Sequence, residues 1–235
     1  MIPGVRAQVL AALDDVYDPE LDEPITTLRF VSSCEVSPDG DVDIRLRLPT
    51  PLCAPNFSYL MAADARDAVR RLPGLRHVNV VLEDHYTGEE ISTSLQRDSG
   101  FAGAFPGESA ETELDDLRTL FLRKALVARQ ARVCASLLAA GACEDALASL
   151  TLGQLPDGPD ARRCRELRDQ LGIGSADDAR AFVTPAGEPI AAGDLRRWLR
   201  TARLVRMSLE ANGGICRSLL QHRYDHVTSQ EVSAK

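Results

Sequence analysis

Six cysteines are scattered through the chain, at positions 34, 53, 134, 143, 164 and 216, and Cys53 occupies the position best suited to chemistry. It follows Pro49-Thr50-Pro51-Leu52 and stands two residues before Pro55, where an alternating strand pattern gives way to a helical one. Free backbone N–H groups and the positive end of a helix dipole stabilise a thiolate at such a junction. A thiolate is the form that binds iron, zinc or a cluster. The competing reading is a small apolar residue buried at a crowded corner, a common fate of free cysteine. Asp18-Pro19-Glu20-Leu21 sets two carboxylates just after the first helical pattern, and a solvated turn is the plain alternative. His85, with Asp84, Glu89 and Glu90 close by in sequence, adds ligands for a hard or borderline metal, or else a polar loop.

The elements that must position these groups are legible. Val5, Val9, Leu10, Leu13 and Val16 recur at helical spacing. That helix should stop near Tyr17, because Asp18 precedes proline and avoids the α region. Ile25 to Val36 reads as extended, followed by the hairpin signal Pro38-Asp39-Gly40. Val42, Ile44, Leu46 and Leu48 alternate with Asp43, Arg45 and Arg47, as in a half-buried antiparallel strand. A second helix starts after Cys53, with Pro55 in its first turn and Pro73-Gly74 ending it, and His77 to Glu83 is a third strand. This order predicts an α+β domain over residues 1–97, a small mixed sheet with two helices on one face. Residues 98–111, rich in small and acidic side chains around Phe101 and Phe105, read as a linker.

The remainder changes period. Residues 112–228 predict an all-α domain: a long helix ending near Gly141, shorter ones around 143–150, 159–171 and 175–182, and a final long helix from Asp194 with a possible break at Gly213-Gly214. Residues 229–235 read as a disordered tail. Cys34 shares a face with Phe30 and Val36 and belongs in the core. Cys134, Cys143, Cys164 and Cys216 fall in helical patterns with no zinc-module spacing, so burial between helices is expected. His222 and His226, four apart, form a weak metal pair near the tail.

Charge divides the same way. Residues 1–98 hold 9 arginines against 17 acids, whereas residues 99–235 hold 18 bases and 18 acids. An acidic first domain repels phosphate backbones, which argues against nucleic acid as a partner. No apolar run approaches a membrane span, the N-terminus has no signal-peptide pattern, and scattered cysteines suit a reducing cytoplasm.

Asp18-Pro19-Glu20-Leu21, Ile25-Thr26-Thr27-Leu28-Arg29, Asp39-Gly40, Thr50-Pro51-Leu52-Cys53, Leu72-Pro73-Gly74-Leu75 and Val78-Asn79-Val80 together carry a family resemblance. Over roughly residues 5–92 the chain resembles the metal–sulfur cluster biosynthetic family, which includes phenylacetate-degradation D-like proteins and eukaryotic cytosolic iron–sulfur assembly factors. Two positions depart from the pattern: Thr27 and Arg29 stand where an acid and a glycine are usual, and Ala54 separates Cys53 from its proline. The two-domain layout also resembles accessory proteins of bacterial multicomponent di-iron monooxygenases.

The resemblance implies an accessory or maturation protein rather than an enzyme. It would assist assembly or insertion of an iron–sulfur or di-iron centre into a client metalloenzyme. Cys53, Glu20 and His85 would be the metal or cluster candidates, supported by Asp18 and Thr50, with iron or a transient iron–sulfur cluster as the bound group. One usable thiol per protomer would call for a bridged homodimer, a transient site, or a mononuclear site completed by carboxylate and histidine. Client contact is expected along Arg196, Arg200 and Arg203, with Trp198 beside that stripe, because Arg and Trp dominate interface hot spots; a core tryptophan with a solvated arginine face paired to the acidic first domain is the plain alternative. Two other readings stand beside it: a regulatory or scaffold subunit of a monooxygenase complex with no metal chemistry, and a metalloenzyme using Cys53, His85 and Glu20.

Overall fold

The computed structural model describes residues 3–106 and 111–232, and the chain forms two compact units. The first comprises residues 1–115 together with 212–235, and the second residues 116–211.

The first unit opens with α1 (Pro3–Asp14). Two short strands, β1 (Tyr17–Asp18) and β2 (Glu23–Pro24), then pair antiparallel around the Asp-Pro-Glu turn. Ile25–Arg29, expected to be extended, instead forms turns, closed by Leu28 N–H to Pro24 O and Arg29 N–H to Thr26 O. Arg29 takes the left-handed conformation there, at φ 62. Extended structure starts only at β3 (Val31–Val36), antiparallel to β4 (Val42–Arg47). The turn between them contains Gly40 at φ 88, where a Cβ would meet Gly74 O at 2.8 Å, so the Asp-Gly signal has a steric basis.

Alternation along β4 buries Val42, Ile44 and Leu46 and turns Arg45 outward. α2 (Pro55–Arg70) carries the chain to β5 (Val78–Glu83), which lies parallel to β4. A parallel neighbour needs such a crossover. The sheet order is β3-β4-β5, mixed as expected. Its core of Leu13, Leu21, Ile25, Phe30, Ile44, Met61, Val69 and Ile91 is closed to solvent, at about 1.5–3 kcal/mol for each large side chain buried.

Two helices follow that the sequence did not suggest, α3 (Gly88–Gln96) and α4 (Gly100–Ala104). Gly88 lets α3 start against β5: a Cβ there would meet Leu82 O at 2.5 Å. α4 occupies the stretch expected to be a linker, because Phe101 is buried edge-on to Tyr59 and stacks near Phe105.

The second unit is helical, as expected of the C-terminal half. α5 (Glu111–Ala139) enters it and is followed by α6 (Glu144–Leu147), a single 3-10 turn (Leu152–Gln154), α7 (Pro159–Leu171) and α8 (Ala192–Val232). The helix expected at 175–182 does not form. That backbone pairs with the segment after α6, through Leu152 N–H to Ala179 O at 2.9 Å and Ala181 N–H to Leu150 O at 2.8 Å. Buried Gln130 bonds Val183 at both its N–H and its C=O, the way a neighbouring strand would. Cys134 and Cys164 are buried as expected, but Cys143 is exposed at the start of α6 and Cys216 is half-buried.

α8 runs through Gly213-Gly214 without a break and continues to residue 232, so the expected tail holds helix at 229–232, while residues 233–235 lie outside the described residues. Residues from 212 onward belong with the first unit, which moves the boundary expected at 228. Among the described residues no helix is long and apolar enough to cross a membrane.

Candidate functional site

The segment from Leu48 to Ala54 is held from two sides. Within it, Leu52 N–H donates to Thr50 Oγ1 at 3.2 Å, and that oxygen lies 3.5 Å from Cys53 Sγ. From outside, the loop after β5 grips it: Tyr86 N–H donates to Pro51 O at 3.1 Å, and His85 Nε2 donates to Cys53 O at 2.8 Å. Glu83, at the end of β5, is anchored by Arg45, Arg47 and Ser32 at 3.0, 2.7 and 3.0 Å, which fixes where that loop starts.

His85 therefore has a defined tautomer. Its Nδ1 accepts the Thr87 N–H at 3.2 Å and faces the Thr87 hydroxyl at 3.1 Å, so the proton sits on Nε2. Ser58 Oγ, 3.2 Å from Nε2, spends its own proton on Ala54 O. Burial lowers the His85 pKa, against the bond to Cys53 O that raises it, and the charge of Arg223 adds to the lowering, which favours the neutral ring. Both ring nitrogens are engaged, so the imidazole holds the Cys53 loop from behind rather than offering a lone pair beside the thiol.

Asp18 is buried, and its Oδ1 accepts the N–H groups of Glu20 at 2.8 Å and Leu21 at 2.9 Å. The Asp-Pro-Glu turn is thus a side-chain-capped loop, not a solvated pair of acids. Glu20 is exposed. Burial pushes the Asp18 pKa up to about 6, against the two N–H bonds that lower it, with Glu20 and Glu23 adding repulsion.

That shift predicts a pH effect. The folded-state pKa lies above the unfolded one, so between them the native state binds more protons, and stability from this group is lost as pH rises toward neutrality. Asp18→Asn removes the titration. Relative to wild type, the variant should gain on the order of 2 kcal/mol between pH 4.5 and pH 7.5. Urea unfolding followed by near-UV tyrosine dichroism reads this, since all four tyrosines lie in the first unit. A wild-type-to-variant difference that does not move with pH refutes it.

Two exposed apolar side chains flank the Cys53 loop. Leu52 is 74% exposed and Tyr86 56%. Cys53 itself is half-buried. The structure thus brings Thr50, Cys53 and His85 together. Sequence reasoning missed Ser58 and Thr87, which set the imidazole, and Cys216, whose pKa is raised by burial first and then by the charges of Asp18, Cys53 and Glu20. Among the described residues no three His, Cys, Asp or Glu converge as a metal cage. His222 is exposed, and the side chain of His226 lies outside the described residues.

In the second unit Arg196 pairs with Glu144 at 3.1 Å, and Arg200 and Arg203 are exposed. Trp198 is half-buried, packed against the core with its ring 6.3 Å from that of Phe182.

The first unit is thus an α+β module whose mixed three-stranded sheet presents one cysteine loop. Residues 6–82 match the family model described as an iron-sulfur cluster assembly protein. An uncharacterised protein of Methanocaldococcus jannaschii is 31% identical over 91 residues, 39% of this chain and 94% of its own length. The iron-sulfur cluster carrier proteins of Mycobacterium bovis and Mycobacterium tuberculosis are 38% identical over 93 residues, 40% of this chain. This chain spans only 23% of those carriers' length. The chain belongs, through its first unit, to the iron–sulfur cluster assembly protein family.

Proposed function

We propose that this protein is a non-catalytic carrier or maturation factor that receives an iron–sulfur cluster at the Cys53 loop and hands it to a client metalloenzyme in the cytoplasm. The observation that carries the reading is the Cys53 loop itself: a half-exposed thiol on a backbone clamped by His85 and Tyr86, framed by exposed Leu52 and Tyr86. A fixed thiol keeps its geometry when the cargo leaves, and an apolar rim suits docking onto another protein. The cargo is substrate here, consistent with the lack of a three-ligand cage among the described residues.

The likeness to cluster carriers supports the cargo's identity. A client of the multicomponent monooxygenase kind rests on the two-part layout of the sequence. Exposed Arg200 and Arg203 support client contact by the helical unit, while Trp198, packed on Phe182, serves that unit's core.

Anaerobic reconstitution with ferrous iron and sulfide, followed by incubation with an apo-ferredoxin, tests this. Visible thiolate-to-iron absorption should develop on the full-length chain and then pass to the acceptor. Iron and sulfide no higher than in a cysteine-free control protein would overturn the proposal.

A further inference from the structure

The last turns of α8 return to the Cys53 loop from the other end of the chain. Arg217 Nη1 pairs with Glu23 Oε2 at 2.6 Å. Arg223 donates to Leu48 O at 3.3 Å and to Asp84 O at 2.8 Å, and the Tyr224 hydroxyl lies 3.2 Å from Asp84 Oδ2. Gly213 is buried beside the β1–β2 turn, where a Cβ would come within 2.9 Å of Glu23 Oε1. Positions 213, 216, 217, 220 and 224 follow the i, i+3, i+4 rule, so they share one face, and Leu220 on that face is buried in the core.

Cys216 lies on that same face, between the residues that meet Glu23 and those that meet Leu48 and Asp84, and both cysteines pack on the rim of the same core. Burial first, then Asp18, Cys53 and Glu20, push the Cys216 thiol up to about 11, with Arg217 opposing.

We infer that Cys216 is the second cluster ligand of this chain, forming with Cys53 a two-thiol half-site. The inference rests on the carrier reading above and adds the ligand that reading lacks. A cluster ordinarily takes four thiolates. One chain with two of them supplies half, leaving the other half to the donor, the acceptor or a second copy, as a hand-over requires. Loading forms two sulfur–iron bonds and releases one proton from each thiol to solvent, with no change in sulfur oxidation state. The cation also relieves the repulsion that two thiolates beside Asp18 and Glu20 would otherwise suffer.

The test uses the full-length reduced chain and two arms. Phenylarsine oxide bridges neighbouring thiols, forming two arsenic–sulfur bonds with loss of one water. Peptide mapping should find one bridge joining the Cys53 and Cys216 peptides, absent in Cys216→Ser and in Cys216→Ala. In anaerobic reconstitution both variants should retain about tenfold less iron than wild type, matching Cys53→Ser. Tyrosine dichroism like that of wild type shows that the first unit is intact, and Cys216→Ala preserves the apolar contact if the serine disturbs it. No Cys53–Cys216 bridge, or wild-type iron in a folded Cys216 variant while Cys53→Ser is empty, overturns the two-thiol site and leaves the carrier reading standing. A wild type that forms the bridge but retains no cluster overturns both.

Discussion

Cys53→Ser should leave the fold in place and empty the carrier. The thiol is half-buried, and its hydrogen-bonding neighbour is the Thr50 hydroxyl at 3.5 Å, which a serine oxygen can still face. The clamp on the loop runs through the Cys53 carbonyl and Pro51, not through sulfur, so His85 and Tyr86 keep their grip. A stability change within about 1 kcal/mol follows, as for a near-isosteric change outside the tight core. Function should respond very differently. A serine hydroxyl stays protonated at neutral pH and offers a hard oxygen where iron in a cluster takes soft thiolate. Iron retained after reconstitution and gel filtration should fall at least about tenfold, with client activity in cells lost to match. Full complementation by the serine variant at wild-type expression would mean that the loop acts by docking alone.

What could be read beforehand follows the range of the interactions involved. Strand β4 was legible because its alternation and its burial are the same pattern, and both helix α2 and the Asp39-Gly40 turn announce themselves locally. Cys53 stood out for the same reason, at a strand-to-helix junction. The imidazole clamp was less visible: His85 could be picked as a polar group near a strand end, but nothing within its own segment reveals that Cys53 O and Ser58 would claim Nε2. Cys216 was invisible as a site residue. Its spacing is that of any helical core cysteine, and only the contacts of Gly213, Arg217 and Arg223 bring it back to the first unit. Gly213, one of the two glycines that suggested a break in the last helix, is instead buried against Glu23.

The segment 175–182 failed as a helix for a related reason, and its cause predicts the largest loss of stability in the second unit. Arg168, on α7, is 1% exposed. Its guanidinium donates to Gly174 O at 3.1 Å, Arg180 O at 2.7 Å and Ala181 O at 2.9 Å. Those carbonyls belong to the loop that a local helical pattern would have folded on itself. The buried cation satisfies them in place of helical N–H groups, and burial lowers its own pKa. Among the described residues no carboxylate answers it.

Arg168→Ala strands three carbonyls and opens a cavity, so about 3–5 kcal/mol should be lost. Arg168→Met fills most of the volume but returns no donor, and Arg168→Lys returns one charge without the planar fork that reaches three acceptors. The expected order of stability is wild type, then lysine and methionine, then alanine. Trp198, the chain's single tryptophan, lies beside Phe182 in this unit, so its fluorescence during urea unfolding reports the unit directly, while tyrosine dichroism follows the first unit. The tryptophan transition should move to lower urea in the alanine variant with the tyrosine transition unmoved. Alanine and methionine variants as stable as wild type would show that water can replace the guanidinium, and the loop would then owe its shape to Gln130 and the pairing of Leu150 and Leu152 with Ala179 and Ala181.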